Sequence, residues 1–315
     1  MKITIVEDGG YKNLLPLVYM RPVWELVCGA STLLEKIKRQ NPGSEFIFST
    51  RDNKKTEGKT INARMLLSGK EIIYPWDLIK NLKRELEEDL KFLGTGIKGA
   101  LHPSVSIYNK NNILIEEGVE VEASSVLDAR QGPIYIGKGT IINPGTLLRG
   151  PLSIGSHCKI AGEITSSIIM SYTNKGHYGF IGHSYICPWV NLGAGTTNSN
   201  LKNNYSPVKV QVNGKQVDTG ETFCGCFIGD HTKTAIGSMI YTGCVIGVSA
   251  NLFGENYYKK FIPSFSWGAK GTYKVEDAIS AARAMMARRN VQLTPQDELQ
   301  LKAVFNLTKE ERNLI

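Results

Sequence analysis

The sequence predicts a mainly β protein: a parallel β-helix preceded by a short α/β domain and followed by helices. Three observations carry this reading. Apolar residues recur every six positions at Ile136, Ile142, Leu148, Ile154 and Ile160. The pattern returns at Ile228, Thr234, Ile240, Ile246 and Leu252, where four of the five are apolar. A period of six fits neither a helix nor an alternating strand, but it does fit a coil that turns a flat face after each short strand. Glycines then fill the slots between, at 137, 139, 145, 150 and 155 and again at 229, 237, 243 and 247, where tight corners need them.

Residues 1–98 follow a different grammar. Ile3 to Val6 reads as a strand, and Asp8-Gly9-Gly10 turns out of it. Ser31 or Thr32 caps a helix through Leu33, Leu34 and Ile37, and Phe46 to Phe48 is a second strand. Pro75-Trp76-Asp77 opens a helix with Leu78, Ile79, Leu82, Leu86 and Leu90 on one face, ended by glycines at 94, 96 and 99.

The β-helix is expected over 99–268. Its period lapses between Asn198 and Cys226, where a hairpin insertion at about 205–222 is expected, turning on Asn213-Gly214. Over 269–315 the helices take over. Val275, Ala278, Ile279, Ala282, Met285 and Met286 share a face, Thr294-Pro295 starts a second helix, and Thr308 with Glu311 forms a capping box. These helices are expected to cover the open end of the coil and its unpaired edges.

The formal charge of +8 suits anionic partners. The basic residues are scattered without interleaved aromatics, which argues against nucleic acid. Six cysteines include one C-x-C, Cys224 and Cys226, but no second pair at zinc spacing, so no metal is expected. They read as buried free thiols of a reducing compartment. The amino terminus is no signal peptide, and no run of 18 apolar residues occurs. A cytoplasmic protein with no membrane partner is expected.

The most informative stretch is Lys175 to Asn200. It reads Lys-Gly-His-Tyr-Gly-Phe-Ile-Gly, and then Val-Asn-Leu-Gly-Ala-Gly-Thr-Thr-Asn-Ser-Asn. This run resembles the acetyltransferase domain of the bifunctional enzyme that makes UDP-N-acetylglucosamine, a hexapeptide-repeat acyltransferase built on a left-handed β-helix. Leu201 to Val210, Asp218-Thr219-Gly220, Cys226 to Lys233 and Phe261 to Gly268 look like a related branch of sugar nucleotidyltransferases. The resemblance spans roughly residues 101–268. In the first domain, Leu14 to Leu17, Arg21-Pro22 and Glu25-Leu26 look like the opening motif of that branch.

The resemblance implies residue roles. His177 falls on the family's catalytic base and Asn200 on an asparagine of the amino-sugar pocket. Phe180 and Leu201 stand where the family has tyrosines, and a pair of sugar-phosphate lysines aligns to Thr165 and Ser166. Asn198 is expected to hold sugar hydroxyls with Asn200; Lys175 and Lys202 (with Lys233) either replace the missing lysines or are solvated, the commoner state of a single lysine. The resemblance further implies a homotrimer with acetyl-CoA lying between subunits as co-substrate. An imidazole titrating near ~6.5 suits a base at neutral pH.

Other readings stand beside these. His183 reads as a surface histidine or a site residue in a slot equivalent to that of His177. His231 sits at a subunit seam or pairs with Asp230. Trp189 stacks on a ligand ring or packs. Asp8, Gly9, Gly10 and Arg21 would hold nucleotide, with Mg2+ required only if the first domain is active; against this, Leu17 stands where a lysine is expected. The functional reading is an acetyl-CoA-dependent N-acetyltransferase acting on an amino-sugar phosphate or nucleotide sugar. A sugar-1-phosphate nucleotidyltransferase and a non-catalytic β-helix that binds a sugar nucleotide are the alternatives.

Overall fold

A computed structural model describes residues 1–51, 53–66, 68–254, 259–269 and 271–313. From Gly96 onward the chain winds a parallel β-helix of about nine turns. Its first face is a nine-stranded sheet from Gly96–Ile97 to Phe261–Ile262; its second is a ten-stranded sheet from Ala100–Leu101 to Gly271–Thr272. Its third has five strands from Ser106–Tyr108 to Phe180–Gly182, extended by the pair Thr197–Asn198 and Met239–Ile240.

The hexad register holds. Ile136, Ile142, Leu148, Ile154 and Ile160 are all fully buried and form the coil's core with Ile228, Ile240, Ile246 and Leu252. Stacked partners such as Ile134 on Ile113 and Leu152 show the rule: each turn places like residues above like. In strand Phe180–Gly182 the inward residue is the buried Ile181, so Phe180 points outward.

The first domain is a three-stranded parallel sheet with β1 (Lys2–Val6) between β2 (Glu45–Ser49) and β3 (Lys59–Asn62). Thr32 closes a full capping box with Glu35 at the start of α1 (Leu33–Gln40). The helix expected from Pro75 breaks at Asn81 into α2 (Pro75–Lys80) and α3 (Leu82–Leu93), and Gly94 ends it at φ 82. The domain lies on the outside of the first face: Leu78, Leu82 and Trp76 share one apolar core with Ile168, Tyr185, Phe227 and Val245. Arg21 reaches across to Asp230 with both of its terminal nitrogens, and both partners are buried.

The insertion forms the expected hairpin, Lys209–Val212 against Lys215–Asp218, with Asn213 and Gly214 at positive φ of 48 and 78. Such a turn needs left-handed backbone at both central residues. All six cysteines are buried and free.

The C-terminal helices depart from expectation. They touch the last coil through Arg312, which donates to the Ser264 carbonyl, and through Phe305 against Phe265. The final strand edge, however, is taken by Gly271–Thr272, which pairs antiparallel with Ser266–Trp267. Helix α4 (Val275–Ala287) instead runs back along the corner between the first and second faces, and Arg289 beyond it reaches the His157 carbonyl. That corner carries a ladder of rings in left-handed backbone (His157, Tyr172, Trp189, His231), too apolar to leave bare. Helix α5 (Pro295–Leu307) has the capping box of Thr294 with Asp297. Thr308 makes none at α6 (Lys309–Arg312): its hydroxyl donates to the Val304 carbonyl and accepts from Arg312.

Candidate functional site

His177 sits on the corner between the second and third faces, in the turn between strands Asn174–Lys175 and Phe180–Gly182, and is exposed. The turn is braced from within. Lys175 occupies the inward position that Ile160 holds one coil below, and is fully buried. Its ammonium donates to the carbonyls of His177 and, at 2.7 Å, of Tyr178. Lys175 therefore faces away from any substrate, which corrects its expected role: it shapes the corner that presents the imidazole.

Burial pulls the Lys175 ammonium down to about 8 from its ordinary 10.5. Between those values the unfolded chain binds more protons than the folded one, so stability should rise with pH over that window. The six buried thiols, all pushed up by burial, act in the opposite sense and equally in both proteins, so between pH 8 and 10.5 the denaturation midpoint of Lys175→Met should fall relative to that of the wild type. Lys233, also lowered to about 8 by burial, contributes in the same sense as Lys175 in both. Identical profiles for the two proteins would contradict this.

Outside the coil, a row of amides runs along the second face beside this corner. Asn143 Nδ2 donates to the Gly176 carbonyl at 2.9 Å, and Asn174 Nδ2 donates to Asn191 Oδ1 at 2.5 Å. A Cβ on Gly176 would lie 3.0 Å from Asn174 Oδ1, so the corner sits close against the row. Asn174 and Asn191 were missed in the sequence. The signal was there: Asn174 stands in register with Lys159 and Asn191 with Lys233, each at the outward position just before an inward one.

The other expected residues lie elsewhere. Asn198 is an inward residue, 1% exposed, with both amide atoms spent on the backbone of Gly182 and Ser199. It holds coil to coil and cannot also hold a sugar, a second correction. Asn200 and Phe180 come together over Gly182, at the far end of the third face from His177. There Asn200 meets His183 at 2.9 Å, and His183 stacks on Phe223 with ring centroids 5.2 Å apart. His183 and His177 thus flank one strand at its opposite ends, on two different corners. Lys202 is tied within its own loop, donating to the Pro207 carbonyl at 2.5 Å.

Trp189 is 8% exposed and stacked on Tyr172 at 4.2 Å beneath the C-terminal helices, so it packs rather than meeting a ligand. His231 lies in the same ladder; Asp230 pairs with Arg21 instead, and burial lowers the imidazole to about 4.

In the first domain, Asp8 caps the turn by accepting from Gly10 N at 2.9 Å, and Arg64 holds its carboxylate at 2.8 Å. The Arg64 hydrogen bond leads the causes that keep Asp8 below the usual carboxylate range. A Cβ on Gly10 would meet the Arg64 guanidinium at 2.5 Å. The space over this turn, where α/β sheets bind ligands beyond the carboxyl ends of strands, is thus filled by a cation of the protein itself. Gly9 is open, while Arg21 is spent on Asp230. Beside it a cavity of about 670 Å3 lies among Tyr11, Lys12, Arg51, Asn213, Gln300 and Glu311. Among the described residues no cluster of three or more His, Cys, Asp or Glu could hold a metal, and no helix is long and apolar enough to cross a membrane.

Residues 3–66 match a family model described as sugar nucleotidyl transferase. A bifunctional sugar-1-phosphate nucleotidylyltransferase/acetyltransferase of Sulfurisphaera tokodaii is 35% identical over 182 residues, 57% of this chain and 43% of that protein. The bifunctional protein GlmU of Methanocaldococcus jannaschii is 30% identical over 226 residues, 69% of this chain and 53% of its own. The chain spans about half the length of these curated relatives. A solved perosamine N-acetyltransferase mutant from Caulobacter crescentus, bound to CoA and GDP-perosamine, is 12% identical. It covers 81% of this chain and 94% of its own at a TM-score of 0.17. By sequence, the chain is similar over part of their length to the bifunctional sugar-1-phosphate nucleotidylyltransferase/acetyltransferases.

Proposed function

We propose that the chain is an acetyl-CoA-dependent N-acetyltransferase whose acceptor is an amino-sugar phosphate or a nucleotide sugar. The observation that carries this is His177, exposed on a corner braced by Lys175 and flanked by the amides of Asn143, Asn174 and Asn191. The names of the two bifunctional relatives, which describe acetyltransfer in one case, support it.

In this reading the acceptor amine attacks the thioester carbonyl carbon. The C–N bond forms, the C–S bond breaks, and coenzyme A leaves as a thiol. His177 takes the proton that the amine gives up and passes it to the leaving sulfur, and a backbone N–H of the glycine-rich corner stabilises the developing oxyanion. No covalent enzyme intermediate is required, and every cysteine is buried. Thiol release from acetyl-CoA across amino sugars, their 1-phosphates and UDP- or dTDP-linked forms tests the proposal. Turnover with one of them names the acceptor; none at all, beside a nucleotide sugar that still raises the melting temperature, favours a binding module.

The same reading includes a homotrimer with acetyl-CoA between subunits. Supporting it, Ile236 and Tyr178 are 80% and 70% exposed, on corners bordering the third face. Large apolar side chains grouped on a surface mark contact sites. Light scattering should give three chains for the wild type and fewer for Ile236→Asp. A monomeric wild type would sink this part of the reading without touching the chemistry at His177.

A further inference from the structure

A cavity of about 520 Å3 lies where α2 and α3 meet the corner between the third and first faces. Three separate parts of the chain line it: Trp76, Lys80 and Lys83 from the helices, Ser166 and His183 from the corner, and Phe223 from the loop after the hairpin. Its size is that of small-molecule sites, about 300–1,000 Å3. His177 stands at the other end of strand Phe180–Gly182, so this is not the corner proposed for acyl transfer.

The polar groups converge. Asn200 Nδ2 donates to His183 Nδ1 at 2.9 Å, which leaves the proton of the neutral ring on Nε2. Burial keeps the imidazole neutral by lowering it to about 4, against the pull of nearby Glu221. At neutral pH His183 is therefore a donor and not a base. Ser166 adds a hydroxyl. Lys80 pairs with Glu221 at 2.5 Å, whereas Lys83 is exposed and makes no ion pair among the described residues. Two ammonium groups against one carboxylate leave a net positive site.

Two ammonium groups, an imidazole N–H and a hydroxyl suit the oxygens and the higher charge of a phosphate. The apolar part is as specific. Phe223 lies against His183 at an interplanar angle of 22°, yet it is 49% exposed, so its other face is free. A half-exposed ring beside cationic donors is a stacking platform for a flat base. We propose that this cavity binds a nucleoside phosphate, with the phosphate on Lys83, Lys80 and the Nε2–H of His183 and the base on Phe223. The site joins the helices of the first domain to the β-helix, so its occupancy would bridge the two.

Calorimetric titration of the full chain with uridine 5′-monophosphate, guanosine 5′-monophosphate, uridine and inorganic phosphate tests this independently of acyl transfer. At least one nucleotide should bind wild type and His177→Ala alike, and bind Lys83→Glu and Phe223→Ser at least roughly tenfold more weakly. Both substituted side chains are substantially exposed, so the variants should fold, which their circular dichroism will show. Uridine and phosphate alone should bind more weakly than the nucleotide. The proposal is overturned if neither nucleotide binds at millimolar concentration, if both variants bind as the wild type does, or if phosphate alone binds as tightly.

Discussion

Replacing His177 by alanine should lower thiol release from acetyl-CoA by roughly 100- to 10,000-fold, the usual contribution of a general base. The loss should fall on kcat, because the imidazole would act on a proton that moves in the transition state. Its position argues for a role in chemistry over a role in folding. The side chain is exposed, and what holds the turn is Lys175, bonded to the carbonyls of His177 and Tyr178. The variant should therefore keep the melting temperature of the wild type. If turnover survives the substitution, the base lies elsewhere and the assignment fails; a coupled loss of stability would instead make His177 structural.

Removing Asp230 should have the largest effect on stability. Asp230→Ala strands the Arg21 guanidinium in a site where both partners are buried, with side-chain exposures of 8% and 3%. Breaking one half of a buried pair costs about 3–5 kcal/mol, since a charge is left without compensation. The double variant Arg21→Met with Asp230→Leu should recover most of that loss, because it removes both charges and leaves apolar volume. Urea denaturation followed by tryptophan fluorescence reports it through Trp24 and Trp76 in the first domain. A change below ~1 kcal/mol for the single variant would mean that the pair does little to fasten the domain to the coil.

Much of the fold was legible in the order of residues. A six-residue period needs no knowledge of distant contacts, because each strand's inward residue stacks on its neighbour one turn away, as Ile142 does on Ile160. The hairpin was equally local, since Asn213-Gly214 supplies its own positive φ. Caps at Thr32 and Thr294 answer to residues three positions on. The site was only partly legible. His177 could be singled out, but Lys175 and Asn198 look like polar site residues in the sequence and prove to be inward ones. Their partners are backbone atoms of corners and neighbouring coils, which composition cannot reveal.

By itself, then, the sequence determined what repeats and what turns: the coil, its core positions, the hairpin, the helix starts and an imidazole beside Gly176. Only the tertiary structure decided what faces what. It put Arg64 over the Gly9-Gly10 turn, laid the C-terminal helices along the ring ladder, and brought Lys83, His183 and Phe223 around one cavity. The reason is physical. Periodicity and turn chemistry act over a few residues of chain, whereas charge pairing and face covering join distant ones, 56 positions apart for Arg64 and Asp8 and 209 for Arg21 and Asp230.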